Sequence, residues 1–213
     1  MDKTFGTPSP QELEVIRRLA LNDALTADEL FVFPVTLATD GVDRDYERFT
    51  PETLSELAPM FVGKTGIFDH EWSAHGQAAR LFECSAVTEN GCSTELKGKA
   101  YMLREGSEKL IREIEAGIKR EVSVGCSVRH KRCSVCGDTE GRCPHIPGRE
   151  YGGVLCVREL VGAVDAYEWS FVAVPAQPAA GIRKSVSRRA EPHPRPPQLM
   201  GKGISPSLDP YKI

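Results

Sequence analysis

Four residues within a thirteen-residue stretch carry the most distinctive chemistry in this chain. Cys133-x2-Cys136 and Cys143-x-His145 supply three thiols and an imidazole, the ligand types and number that Zn²⁺ takes in a tetrahedron. Gly137, Gly141 and Pro144 lie among them and permit the tight turns that bring such ligands to one point. Four protein ligands leave no open position for water, so the pattern predicts a structural zinc site rather than a catalytic one. Cys156 and His130 are reserve ligands in case Cys143 and His145 sit too close in sequence to bind together. Cys84, Cys92 and Cys126 read as core or surface thiols.

Three other segments hold groups able to move protons or attack carbonyls. In GIFDHEWSAHGQAARLF (66–82), His70 ends an apolar run where a strand leaves the core, a place from which an imidazole can serve as a general base. His70 and His75 are five apart, not the four that puts two zinc ligands on one helical face, so a zinc-protease helix is excluded. In KREVSVGCSVRH (119–130), Ser123 alternates with Val122 and Val124 and is followed by Gly125. That is a strand able to receive a close-approaching backbone. Glu121 stands where a nucleophile elbow needs glycine, which argues against an α/β-hydrolase. In VDAYEWSFVAVPAQPAAGI (164–182), Glu168 or Asp165 is placed to orient an imidazole in a Ser-His-acid relay. Taken singly, each of these residues also reads as an ordinary strand residue.

The elements that must position these groups follow from periodicity. Residues 9–21 read as a helix, with capping-box spacing between Ser9 and Glu12 and Pro10 in the first turn. Residues 29–39 are apolar and β-branched and read as a strand, with Pro34 marking a bulge or an edge. Thr50-Pro51 begins a second helix through Ala58. Strands are predicted at 66–70, 79–88 and 94–103, the last two joined across ENGCS. A third helix is capped by Ser107 and stopped by Gly117. Strands at 121–129, 154–160 and 164–174 bracket a Cys-rich insertion at 130–152. Several strands with few helices, and no βα alternation, predict an α+β domain. It is mostly β, with a barrel-like core, short flanking helices and a small zinc-binding insertion.

Over its 213 residues the chain carries a formal charge of −3, too little positive charge for non-specific nucleic-acid binding. Residues 183–213 hold seven Lys/Arg, two Asp/Glu and six prolines, a composition that reads as a disordered basic tail. Residues 1–28 form an N-terminal helical segment, and 29–182 the main domain. No apolar run approaches a membrane span, and the N-terminus lacks a secretory signal, so a cytoplasmic location is expected. Thiols there are expected to be free or metal-bound, not paired.

The order of the segments carries a resemblance. A D-H strand end is followed by a hairpin and a short helix, then S-V-G, then Y-E-W-S-F-V-A-V-P-A-Q-P-A-A-G-I. Over residues 29–182 this resembles the prohead maturation proteases of tailed phages, distantly similar to the herpesvirus assemblins. The resemblance implies a mixed β-barrel-like core and a serine endopeptidase that cleaves scaffold and capsid precursors inside the prohead, in the host cytoplasm. Self-cleavage belongs among its reactions. The family's catalytic His falls on His70 and its Ser on Ser123. Glu168 fits the third member, with Asp165 and then His75 behind it. The insertion just after the serine strand departs from the family pattern.

Two other classes are carried. One is a non-catalytic, zinc-stabilised capsid-assembly or scaffold protein. The other is a nucleic-acid-binding zinc module, suggested by the basic run Arg129, His130, Lys131 and Arg132. It is ranked last because no aromatics interleave that run. Oligomers are compatible with each class, and no membrane partner is expected.

Overall fold

The computed structural model describes residues 5–89 and 93–183. Residues 184–213 of the proposed tail, and Cys92, lie outside the described residues. The chain begins with α1 (Pro10–Ala20), a 3-10 turn and β1 (Leu30–Thr39). Then come β2 (Glu47–Phe49), α2 (Pro51–Phe61), β3 (Thr65–Phe68), β4 (Ala79–Glu89), β5 (Ser93–Leu103) and α3 (Glu108–Glu115). The C-terminal part holds β6 (Val122–Cys133), β7 (Glu150–Tyr151), β8 (Val154–Leu155), β9 (Arg158–Phe171) and β10 (Gly181–Ile182). The fold is mixed α/β and mostly sheet.

One sheet runs β10-β1-β5-β4-β3-β9-β2, with β6 pairing β9. The expected barrel does not close. A single antiparallel bridge between Glu121 and Gly181 joins the start of β6 to β10. Beyond it, the outer edge of β6 has no ladder partner among the described residues. β1 is buried on both faces because two clusters share it. Phe31, Phe33 and Val35 face the main core, while Leu30 and Val32 meet Ile16 of α1 and Phe82. Pro34 marks no bulge, since the register shift falls at Thr36/Ala38. Instead it sits on an edge between two partners, Gly6 at Val32 and Gly181 at Thr36, where no N–H is required. The α1 capping box forms, whereas the Ser107 side chain makes no cap bond to α3.

β9 is a single fourteen-residue strand rather than two, and the whole sheet hangs on it. β6 pairs along its full length, from Val122↔Phe171 to Cys133↔Arg158. Its other edge is shared end to end by β2 (Arg158–Leu160) and β3 (Trp169–Phe171). Between those two short partners, α2 replaces a strand. The Gly162 N–H donates to Thr53 Oγ1 at 2.9 Å and the Ala163 N–H donates to Glu56 Oε2 at 2.7 Å. Otherwise these amides would be buried without acceptors. Gly66 gives β3 its closeness to the core, since any Cβ there would overlap the buried indole of Trp169.

At the far end of β9, Glu159 is flanked by arginines on both neighbouring strands. Arg48 Nη2 lies 2.5 Å from its Oε1 and Arg132 Nε lies 2.7 Å from its Oε2. Burial raises the Glu159 carboxyl, but the two guanidiniums outweigh it and hold it below the usual value of 4.5. A carboxyl depressed in the folded state stabilises above its unfolded value, and loses that contribution as pH falls through the folded one. Glu159→Gln should therefore cost about 2 kcal/mol at pH 7. In thermal melts the gap between wild type and variant should narrow steadily below pH 4.5.

Candidate active site and metal centre

The outer face of the β3–β9–β6 segment brings three of the sequence-predicted residues into one neighbourhood. Glu168 and Ser170 lie two apart on β9, and so on one face. Opposite them on β6 stand Gly125 and Ser123 respectively, and Ile67 of β3 pairs with Ser170 from the other side. Directly opposed side chains have Cβ atoms about 5 Å apart, which places Ser123 beside Ser170.

His70 reaches this face from a turn, not a strand. Asp69 (φ 48°) and His70 (φ 57°) are both left-handed, a conformation that costs non-glycine residues about 1 kcal/mol or more each. Three bonds hold the turn. The Asp69 N–H donates to Phe171 O at 3.0 Å, the Glu71 N–H to Phe68 O at 2.9 Å, and the His70 N–H to Ser170 Oγ at 3.1 Å. The imidazole thereby lies over β9 with Nδ1 2.8 Å from Glu168 Oε1. The second carboxylate oxygen, Oε2, accepts from the Ser170 hydroxyl at 2.7 Å. Glu168 is 3% exposed, so this carboxylate is satisfied almost wholly by protein donors. With Nδ1–H donating to it, Nε2 is left as a free acceptor.

Gly125 makes the arrangement sterically possible. A Cβ on residue 125 would overlap Glu168 Oε1 and lie 3.1 Å from its Cδ. Ser123 Oγ makes no hydrogen bond to any described residue. The neighbouring Cys126 stays a neutral thiol, since burial and the Glu168 charge push it up to about 11. Asp165 is displaced from the site and lies 3.7 Å from Lys64 Nζ. His75 is exposed in a 3-10 turn, and the bonds that His70 itself makes go to Ser170 and Glu168. Sequence reasoning missed Ser170, although its two-residue spacing from Glu168 was the available signal.

The metal ligands do converge. The donor atoms of Cys133, Cys136, Cys143 and His145 lie within 4.8 Å of one another, and the cysteines are free thiols, not disulfides. Gly137 (φ 75°) closes the first turn by donating its N–H to Cys133 O at 2.8 Å. Asp138 Oδ2 shapes the second by accepting from the Arg142 and Cys143 N–H groups. Burial opposes ionisation of Cys133, but the Cys136 and Val135 N–H groups and adjacent thiols prevail and bring it down to about 6. Cys133 Sγ is 3.8 Å from His145 Nδ1, close to the roughly 3.6 Å that separates a sulfur from a nitrogen on a tetrahedral zinc. The donor set therefore fits a thiophilic metal ion. Cys156, a reserve ligand on sequence grounds, is buried with its Sγ 3.9 Å from that of Cys133. Arg158 lies 3.6 Å from Cys143 Sγ and donates to His145 O at 2.9 Å. His130 lies within β6, away from the ligand group.

The insertion does not flank the serine. β6 runs on to Cys133 before the insertion starts, so ten residues of strand, roughly 30 Å, separate Ser123 from the first ligand. The basic run is likewise strand, not loop. Lys131 pairs with Glu47 and Arg132 with Glu159, and alternation divides the four residues between two faces. No helix among the described residues is long and apolar enough to cross a membrane. Compared with protein-family models, with curated proteins and with solved structures, the chain finds no match in any of the three.

Two outcomes follow from this geometry. Gly125→Ala should push the Glu168 carboxylate off His70 and cost about 1–3 kcal/mol of stability. The ¹⁵N signals of His70 should change from a fixed Nδ1–H tautomer to a mixture. Independently, elemental analysis should find about one metal ion per chain. Joint replacement of Cys133 and Cys136 by Ser should remove that ion and make residues 134–157 protease-sensitive. It should leave the His70 signals unmoved, because of the roughly 30 Å of strand between them.

Proposed function

We propose that the chain is a serine endopeptidase of the prohead-maturation type, acting on capsid and scaffold precursors, and on itself, inside the assembling prohead in the host cytoplasm. The observation that carries this reading is the 2.8 Å contact between His70 Nδ1 and the buried Glu168, one strand away from Ser123 on the same face. In this mechanism Nε2 of His70 takes the Ser123 hydroxyl proton as Oγ attacks the scissile carbonyl. The same nitrogen then gives that proton to the leaving amine. Water repeats the cycle on the acyl-serine, releasing the acid. Glu168 holds the imidazole tautomer and stabilises the imidazolium, and Ser170 holds Glu168. By its register with β9 the Val124 N–H points to the unladdered edge of β6, beyond the bridge to Gly181, where it can donate to the oxyanion. A cavity of about 390 Å³ runs along that edge past Ser123, between β6 and Leu37, Ala38 and Phe49. It offers room for the acyl half of a peptide.

In the same reading the metal is structural zinc. Cys133, Cys136, Cys143 and His145 would hold it, and its chemistry is cross-linking of a small insertion rather than activation of water. The unbonded Ser123 hydroxyl favours the second reading, a zinc-stabilised assembly protein that does not cleave.

One experiment separates them. A fluorophosphonate should label wild type on Ser123 and leave Ser123→Ala and His70→Ala unlabelled. Each variant should stay folded and lose precursor processing by at least 10³-fold. Asp165→Asn should process normally. An unlabelled wild-type protein that still assembles with capsid precursors would replace the enzyme by the scaffold.

A further inference from the structure

Beside the His70 turn, the same face carries an exposed aromatic pair. Trp72 follows the His70 turn and is 73% exposed, and Tyr167 on β9 is 40% exposed. Their ring centroids lie 5.6 Å apart. Leaving an indole this open is unfavourable in water unless something covers it. The Tyr167 hydroxyl donates to Ser127 Oγ at 2.8 Å, which fixes one wall. Together with Ile67 and Ala74 the pair encloses a cavity of about 430 Å³, and Glu168 forms part of its lining. The cavity therefore shares a wall with the His70–Glu168 pair. Thr65, Ser73 and Gln77 add neutral polar groups to the lining, and its two charged residues are already partnered, Lys64 with Asp165 and Glu168 with His70.

The order across the sheet assigns this cavity a side. Ser123, Ser170 and Ile67 stand in one row across β6, β9 and β3, with strands about 4.8 Å apart. The attacked carbonyl must sit at Ser123, and the leaving amine must face His70, which protonates it. Chain continuing from that amine is carried over β9 toward β3, and so over the cavity. The acyl half is directed the other way, to the open edge of β6.

We propose that the Trp72–Tyr167 cavity is a specificity subsite that binds a large apolar or aromatic side chain on the amine side of the scissile bond. This rests on the endopeptidase reading and names part of its substrate. Aromatic walls suit such a side chain because offset and edge-on ring contacts add to the burial of apolar area. Trp72 and Tyr167 determine specificity and touch no reacting atom.

The test digests a proteome-derived peptide library with the full chain and reads the new N-termini by mass spectrometry. Wild type should be enriched for Phe, Tyr, Trp, Leu or Met within the first two residues after the cut. Trp72→Ala, at an exposed position, should lower kcat/KM for such peptides by at least tenfold. It should flatten the preference and leave fluorophosphonate labelling of Ser123 and hydrolysis of p-nitrophenyl acetate unchanged, since neither reagent carries a residue into the cavity. Trp72→Phe should restore most of the loss. Normal labelling with no apolar preference on the amine side, or a preference that Trp72→Ala leaves intact, overturns the subsite and spares the enzyme reading. Absence of labelling in the wild type overturns both.

Discussion

Glu168 is a carboxyl group held inside a sheet at 3% exposure, and much of the surrounding structure answers the problem that burial creates. A carboxylate without partners in such a place would cost several kcal/mol. Each oxygen has a protein donor, Oε1 from His70 and Oε2 from Ser170. Gly125 provides the volume the carboxylate occupies, and the Ser170 hydroxyl also accepts the His70 N–H. The four residues form a closed set, so the loss of one leaves another unsatisfied. That is a reason for the tautomer and orientation of His70 to be fixed before any ligand arrives.

The β6–β9 ribbon sets the distance between the two chemically distinctive regions. One end carries Ser123 opposite Ser170, and the other carries Cys133 opposite Arg158. At the second end, residues 134–157 contribute little apolar core; Ile146, Val154 and Leu155 are exposed. A segment of that size without a core needs a cross-link to stay folded. The Cys/His group is suited to that task, and Arg158 ties it to β9. Stabilising the insertion and organising the His70 face are thus separate tasks on one rigid element.

Local rules made part of this legible. The Ser9 capping box, the Thr50-Pro51 helix start and the apolar run of β1 are specified by neighbours in sequence, and the structure places those elements there. The metal ligands are close in sequence, so their convergence needed only turns. Apart from the Ser107 cap, which is local, the failures involve partners far apart in the chain. β9 read as two strands because Gly162 breaks its pattern. Yet Thr53, more than one hundred positions away, accepts that glycine's N–H and keeps the strand continuous. The barrel failed to close because β6 meets β10 at one bridge only, a register fact with no local signature. Gly125 read as a place for a close-approaching substrate, whereas the group that approaches it is Glu168.

The site is borne by a sheet, and its precision comes from the elements that carry each member. Ser123, Glu168 and Ser170 are on strands paired along their length, which holds their relative positions more tightly than loops would. His70 is the exception, and it is the member whose support is most redundant. Two successive left-handed residues store strain that an isolated turn would release. Bonds to Phe68, Ser170 and Phe171, with the side-chain contact to Glu168, prevent that release. The Ser123 hydroxyl, unbonded among the described residues, is left as the group free to turn toward a ligand. On the proposed endopeptidase reading, a rigid imidazole and a free hydroxyl match what attack on a carbonyl demands, because the base must be oriented in advance while the oxygen must move.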